Sequence, residues 1–270
     1  MFTIRLNPAY HIMYRPFLLA AALTIAASIA PLTLHAAGAQ DERLFERRTY
    51  LAAPGKFEEL HARFREHTQK LFEKHGIAVI GYWVPTEEKD GATNTLIYML
   101  AFANRAEHDR QWKEFGADPD WQAVWKASEA NGKLVTKVES VFLKATDYSP
   151  TIAASAADAP RLFELRTYVT PPGKLADLHV RFRDHTVELF RKHGMTNVGY
   201  WTPIDEKDGA DNTLFYIVAH HDRAAAKASW KAFVGDPDWV AAKAASEVNG
   251  PLTTKVSSVF AAPTDYSPTK

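Results

Sequence analysis

The chain has 270 residues, 32 Lys and Arg against 32 Asp and Glu, an apolar share of 46% and no cysteine. That length fits one large domain or two of about 110 residues. The even charge excludes the basic face that duplex nucleic acid demands. The missing cysteines exclude disulfides, thiolate metal sites and a lipoprotein-type lipid anchor.

Residues 1–39 read as an export signal. Arg15 precedes PFLLAAALTIAASIA, and the stretch ends in LTLHAAGAQ, where Ala37 and Ala39 give the small-x-small pattern before Gln40. Met13 as the start would shorten a long leading segment. An uncleaved anchor competes, because residues 17–34 approach the roughly 20 residues that span a bilayer. Pro31 and the Ala-Gly-Ala ending favour cleavage. The expected product is a periplasmic chain that begins near Gln40 and has no membrane segment. It keeps 30 basic residues (32 less Arg5 and Arg15) against 32 acidic ones.

From there the chain is written twice. Residues 43–150 align with 161–268 without a gap, and 63 of 108 positions are identical. GYWVPTEEKDG in the first copy answers GYWTPIDEKDG in the second. The expected domains are 40–150 and 161–270, joined by the Ala-rich linker TIAASAADAP at 151–160.

Each copy opens on an alternating aromatic strand, LFERRTYL in the first, broken by Pro54 and Gly55. Phe57, Leu60, Phe64, Leu71 and Phe72 follow helical spacing, and Gly76 ends that helix with Lys74 and His75 complementing its dipole. VIGYWVP and NTLIYMLAF predict the middle strands around a polar turn. A second helical region comes next, interrupted by DPDW, where Asp118 suits an N-cap and Pro119 the first helical position. Gly132 closes it, and LVTKVESVFL predicts the last strand.

The order βαββαβ is that of the ferredoxin-like class, an antiparallel sheet with helices on one face. Two such units can cover each other's open face, giving an α+β barrel within one chain about a pseudo-twofold axis. Further homo-oligomerisation stays open.

The opening FE(R/L)RTY strand, PGK, GYW, DPDW and the closing DYSP, each present twice, resemble the NIPSNAP family over essentially all of residues 40–270. The resemblance implies the dimeric α+β barrel fold, shared with small monooxygenases and with cofactor-free or haem-handling proteins. It implies no settled reaction. Animal relatives are mitochondrial proteins linked to trafficking and mitophagy, and the export signal here departs from that setting.

Candidate ligand-binding residues come from three sets. On the first strand Phe45, Arg47 and Thr49 share one face, and Glu46, Arg48 and Tyr50 the other. Leu165 replaces Arg47 in the second copy, which reads as a helix-packing face. That places Glu46, Arg48 and Tyr50, with Glu164, Arg166 and Tyr168, inside the barrel, each Glu paired with an Arg near the axis. They serve either as structural ion pairs or as a polar wall orienting an anionic or aromatic ligand. In the second set, His67 and its equivalent His185 fall on the Leu60–Leu71 stripe, facing the sheet as core histidines or as a haem ligand or proton shuttle. The third set is Tyr82 and Trp83 with Tyr200 and Trp201, of which at least one side chain per copy points into the barrel. No metal-ligand spacing occurs, and the EEKDG and DEKDG turns lack that of a calcium loop. The reading is a small-molecule binder or cofactor-independent oxygenase with its site inside the barrel; the alternative is a structural or protein-interaction module. The ligand and any cofactor stay undefined.

Overall fold

The computed structural model describes residues 40–157, 159 and 161–270; the export signal read over 1–39 lies outside them. In the first copy, β1 (Leu44–Ala52), β2 (Ala78–Pro85), β3 (Thr95–Phe102) and β4 (Val135–Ala145) alternate with helices. These are α1 (Phe57–Arg63), α2 (Gln69–Lys74), α3 (Arg105–Ala117) and α4 (Pro119–Ser128). The second copy repeats the pattern with β5 (Leu162–Val169), α5 (Leu175–Arg181), α6 (Val187–Lys192) and β6 (Thr196–Pro203). It ends with β7 (Thr213–His220), α7 (Arg223–Val234), α8 (Pro237–Ser246) and β8 (Lys255–Pro263).

The strands close an eight-membered antiparallel barrel in the order β1-β3-β2-β8-β5-β7-β6-β4. Its two seams join the copies: the end of β4 pairs with β6, and the end of β8 with β2. The expected tandem α+β barrel is the fold.

The interior is mainly apolar and drawn from both copies, with Arg47 as a partly buried cation whose guanidinium lies 4.7 Å from the Phe215 ring. Phe45 meets Trp201 at 5.9 Å between ring centroids, and Trp83 meets Phe163 at 5.6 Å. This geometry explains why GYW is written twice. Gly81 and Trp83 share the inner face, and the indole lies over the glycine so closely that an added Cβ would stand 2.5 Å from the ring. Gly199 does the same for Trp201. The intervening Tyr82 and Tyr200 therefore point outward, under the helices. The linker also contributes: Ile152 is 1% exposed and packs into the interior cluster.

Two features depart from simple expectation. Between α1 and α2 the helix loosens into a π turn over Phe64–Thr68, repeated at Phe182–Thr186. A π turn advances less per residue than an α-helix, so α2 and α6 start out of phase with the helices before them. The Thr68 hydroxyl takes up the Arg63 carbonyl at 3.1 Å, and Thr186 that of Arg181.

The DYSP segments, second, cross between copies. Tyr266 packs on Phe64 and Tyr82 of the first copy and reaches His61 Nδ1 at 2.7 Å. Tyr148 packs on Phe182 and Tyr200 of the second and reaches His179 Nδ1 at 2.7 Å. Ser267 and Ser149 accept from the Tyr82 and Tyr200 amides. Each copy thus holds the other's tail.

DPDW does what its residues predict. Asp118 caps α4 by accepting from the Asp120 amide at 2.8 Å, with Pro119 opening the helix. Its other oxygen binds His75 at 2.6 Å and Lys74 at 2.8 Å, tying the first helical layer to the second.

Candidate functional site

The first strand faces the opposite way to the sequence reading. Glu46, Arg48 and Tyr50 point under the helices, as do Glu164, Arg166 and Tyr168; Trp112 of α3 donates to Glu46 and Trp230 of α7 to Glu164. The barrel interior takes Phe45 with Ile97, Met99 and Leu165. Leu165 is thus an interior residue, not a helix-packing one: a closed barrel hides its inner face completely, so the more apolar strand face goes inside. The expected Glu–Arg pairing does form, but between neighbours on one strand of one copy, not across the pseudo-twofold axis.

Each glutamate is the hub of a polar cluster. Glu46 Oε1 accepts from Arg48 Nη1 at 2.5 Å and from Ser140 Oγ at 2.6 Å. Its Oε2 accepts from Trp112 Nε1 at 3.1 Å, and His108 Nε2 approaches at 3.3 Å. In the second copy Arg166 and Ser258 hold Oε1 of Glu164, while Trp230 donates to Oε2 at 2.6 Å and His220 Nε2 lies 3.1 Å away. Burial alone would raise the Glu164 pKa, but His220, Arg166, Ser258 and Trp230 outweigh it and bring it down to about 2. The hub is therefore an anion.

The arginine completes the arrangement. Its guanidinium lies 4.6 Å from the Trp112 ring and 5.6 Å from the Tyr50 ring, and Arg166 sits likewise against Trp230 and Tyr168. Burial opposes its charge, yet the surrounding Tyr98, Tyr50 and Glu46 hold the Arg48 pKa above the usual arginine value. Burial pushes the Tyr82, Tyr98, Tyr200 and Tyr216 phenols well above 10, so they remain hydroxyls. Several buried polar atoms here lack a hydrogen-bond partner: Arg48 Nε, Tyr82 OH, Tyr98 OH and His108 Nε2 in the first copy, and Arg166 Nε, Tyr216 OH and His220 Nδ1 in the second.

The twelve candidate residues therefore fall in three places. Glu46, Arg48, Tyr50 and Tyr82, with Glu164, Arg166, Tyr168 and Tyr200, share the layer between sheet and helices. Trp83 and Trp201 are inside the barrel. His67 and His185 do not face the sheet: the π turn rotates them outward, and both side chains line open grooves between helices, α1–α4 for His67 and α5–α8 for His185. Sequence reasoning misses Trp112, Ser140, His108 and their second-copy partners. The shared spacing of Trp and Ser from the glutamate in both copies is a usable signal for them. Among the described residues no three or more His, Asp or Glu side chains are grouped to hold a metal ion.

The NIPSNAP family model matches the chain twice, over residues 45–150 and 163–268. The chain belongs to the NIPSNAP family. No functionally curated protein matches it. Among solved structures, this NIPSNAP chain is similar to a protein provisionally named a monooxygenase from Lactobacillus acidophilus NCFM, at 12% identity and a TM-score of 0.55, covering 83% of this chain and 94% of that one. An anthrone oxidase-like protein matches at 9% identity and a TM-score of 0.52, covering 85% and 95%. A NIPSNAP family protein from Agrobacterium tumefaciens matches at 24% identity, covering 41% of this chain and 99% of its own, with a TM-score of 0.36. The two longer matches share the barrel fold.

Proposed function

We propose that this NIPSNAP protein is an exported binder of a small planar, oxygen-bearing molecule, held between sheet and helices in its halves and not in the barrel interior. The observation that carries the reading is that Arg48 Nε and the hydroxyl of its cross-strand neighbour Tyr98 are both buried without a partner. Folded proteins leave few buried polar groups unpaired, and those left mark bound water, a ligand or chemistry. Gathered beside a cation between aromatic rings, they suit a flat molecule with an acceptor oxygen. Oxygenase-type chemistry belongs to the same proposal, supported by the descriptions of the two longer fold relatives as a monooxygenase and an oxidase-like protein. An arginine kept cationic in a largely buried site can stabilise an oxyanion as it develops.

The test is native mass spectrometry and absorbance of protein purified from its own envelope fraction. A bound small molecule is expected, lost when Arg48 and Arg166 are both replaced by Met. Protein that carries nothing and binds no aromatic acid or ketone in a screen would overturn the reading. N-terminal sequencing of the same material checks export, the expected first residue being Gln40.

A structural or interaction role is the second reading. It is favoured by the Glu164 hub, whose two oxygens are fully occupied by protein donors. Loss of stability without loss of ligand in hub variants would support it.

A further inference from the structure

The two copies differ beside one buried tyrosine. In the second, the Tyr200 hydroxyl donates to Asn197 Oδ1 at 2.5 Å, and Asn197 Nδ2 donates to the Val187 carbonyl at 2.9 Å. The phenol is satisfied, and an amide fills the space next to it. In the first copy the position of Asn197 is held by Val79, which cannot accept a hydrogen bond. The Tyr82 hydroxyl is left buried and without a partner. Beside it opens a groove of about 410 Å³, walled by Gln69, Lys70, Ile77, Val79, Tyr82 and Pro268.

The groove has the parts of a site. Tyr82 is 0% exposed, and burial keeps its phenol protonated, so a residue with an unused donor forms part of the groove wall. The satisfied hydroxyl of Tyr200 reaches toward the residue equivalent to Val79, which places the Tyr82 donor toward the groove wall. Ile77, Val79 and Pro268 supply apolar walls. Lys70 and Glu73 also line it and carry opposite charges. Gln69 is already committed through Nε2 to the Tyr266 carbonyl. Pro268 belongs to the tail of the second copy, so both halves build this site.

We infer that this groove is a ligand site of the first copy alone, for a small uncharged aromatic whose carbonyl or phenol oxygen accepts from Tyr82. In the second copy the Asn197 amide occupies the place of that acceptor. The inference rests on the reading of the sheet–helix layer as the binding region, and adds to it a groove of the first copy that Arg48 does not line, with the reason only that half is open.

The test is calorimetric titration of the purified protein with 4-hydroxyacetophenone, beside Val79→Asn, Asn197→Val and Tyr82→Phe variants shown by circular dichroism to be folded. Wild type should bind one equivalent. Val79→Asn and Tyr82→Phe should each weaken binding by about tenfold or more, the loss of one useful hydrogen bond in a dry site. Asn197→Val should add a second equivalent. Affinity unchanged by Val79→Asn would overturn the groove, and so would a wild type that binds nothing. Two equal sites in wild type would overturn the asymmetry while leaving the sheet–helix reading intact. Failure of that broader reading shows separately, as purified protein that carries no small molecule.

Discussion

In the first copy the histidine beside the strand glutamate comes from helix α3, as His108; in the second it comes from the end of strand β7, as His220. The alignment puts Phe102 opposite His220 and Ala226 opposite His108. The imidazole has changed places with its neighbour, yet it approaches the same carboxylate oxygen. Phe102 fills the strand end in one half, its ring 4.8 Å from His108, and Ala226 is small enough to leave room in the other. The difference teaches that the contact is specified and the position is not. A carboxylate 1% exposed draws an imidazole toward it from either backbone site, as a hydrogen bond from His220 and as an ion-pair approach from His108.

The largest effect should come from neutralising each hub in turn. Glu164→Gln leaves Arg166 charged and His220 fully buried, and it should cost about 3–5 kcal/mol, the range for breaking a buried pair. Glu46→Gln should cost less, about 2–3 kcal/mol, because Arg48 and His108 keep 18% and 12% side-chain exposure and can recruit water. Urea unfolding would measure both, and equal losses would break the comparison. The acid limb carries the same signature. Glu164 has a folded pKa of about 2, below the ordinary glutamate value near 4.5. Its contribution is therefore complete above the unfolded pKa and disappears as pH falls toward about 2. Glu164→Gln should flatten stability across that window.

A smaller effect sharpens the histidine exchange. His108→Ala alone should cost about 1–2 kcal/mol by removing a half-buried ring packed on Phe102 and Phe142 that stands 3.3 Å from a buried carboxylate. Phe102→His alone should cost a similar amount by crowding the site with a second polar ring. Together they rebuild the second copy's arrangement inside the first, and the double variant should recover to within about 1 kcal/mol of wild type. Additive losses in the thermodynamic cycle would mean that the two arrangements are not interchangeable.

Much of this is legible in the sequence. The gapless repeat with its βαββαβ signals leads to the barrel, and Asp118 with Pro119 leads to the α4 cap. The failures have identifiable causes. Alternation says that Glu46 and Phe45 face opposite ways but not which way is in. Leu165 misleads because a closed interior and a helix-covered face are both apolar. Counting 100° per residue misplaces His67, because the π turn does not keep that count. The exchange of His108 for His220 is invisible residue by residue, since the gapless alignment matches each histidine with a non-histidine. The crossing of the DYSP tails depends on which seam closes the barrel, which no local pattern encodes.

The smallest expected effect concerns those tails, where the copies differ by one anchor. Tyr266 is held by His61 through its hydroxyl and by Gln69 through its carbonyl, whereas Val187 stands opposite Gln69 and can offer no such bond to Tyr148. The flanking pairs Arg65–Asp265 and Arg183–Asp147 are at least 40% exposed on every side chain, so each adds at most about 1 kcal/mol. The tyrosine–histidine bonds are the parts shielded from water. Tyr148→Phe and Tyr266→Phe should each cost about 1 kcal/mol. In hydrogen exchange, the amides of the Tyr148 tail should open before those of the better anchored Tyr266 tail; the reverse order would count against the extra anchor. The pH dependence comes from the histidines. Burial lowers the pKa of both His61 and His179 below the ordinary value of 6.5. The folded state therefore resists protonating them while the unfolded chain does not. Stability attributable to the clasps is complete above about pH 6.5 and declines as pH falls through the lower folded values. Replacing both histidines by Gln should reduce the slope of unfolding free energy between about pH 6.5 and 5, and an unchanged slope would show that the clasps do not report on pH.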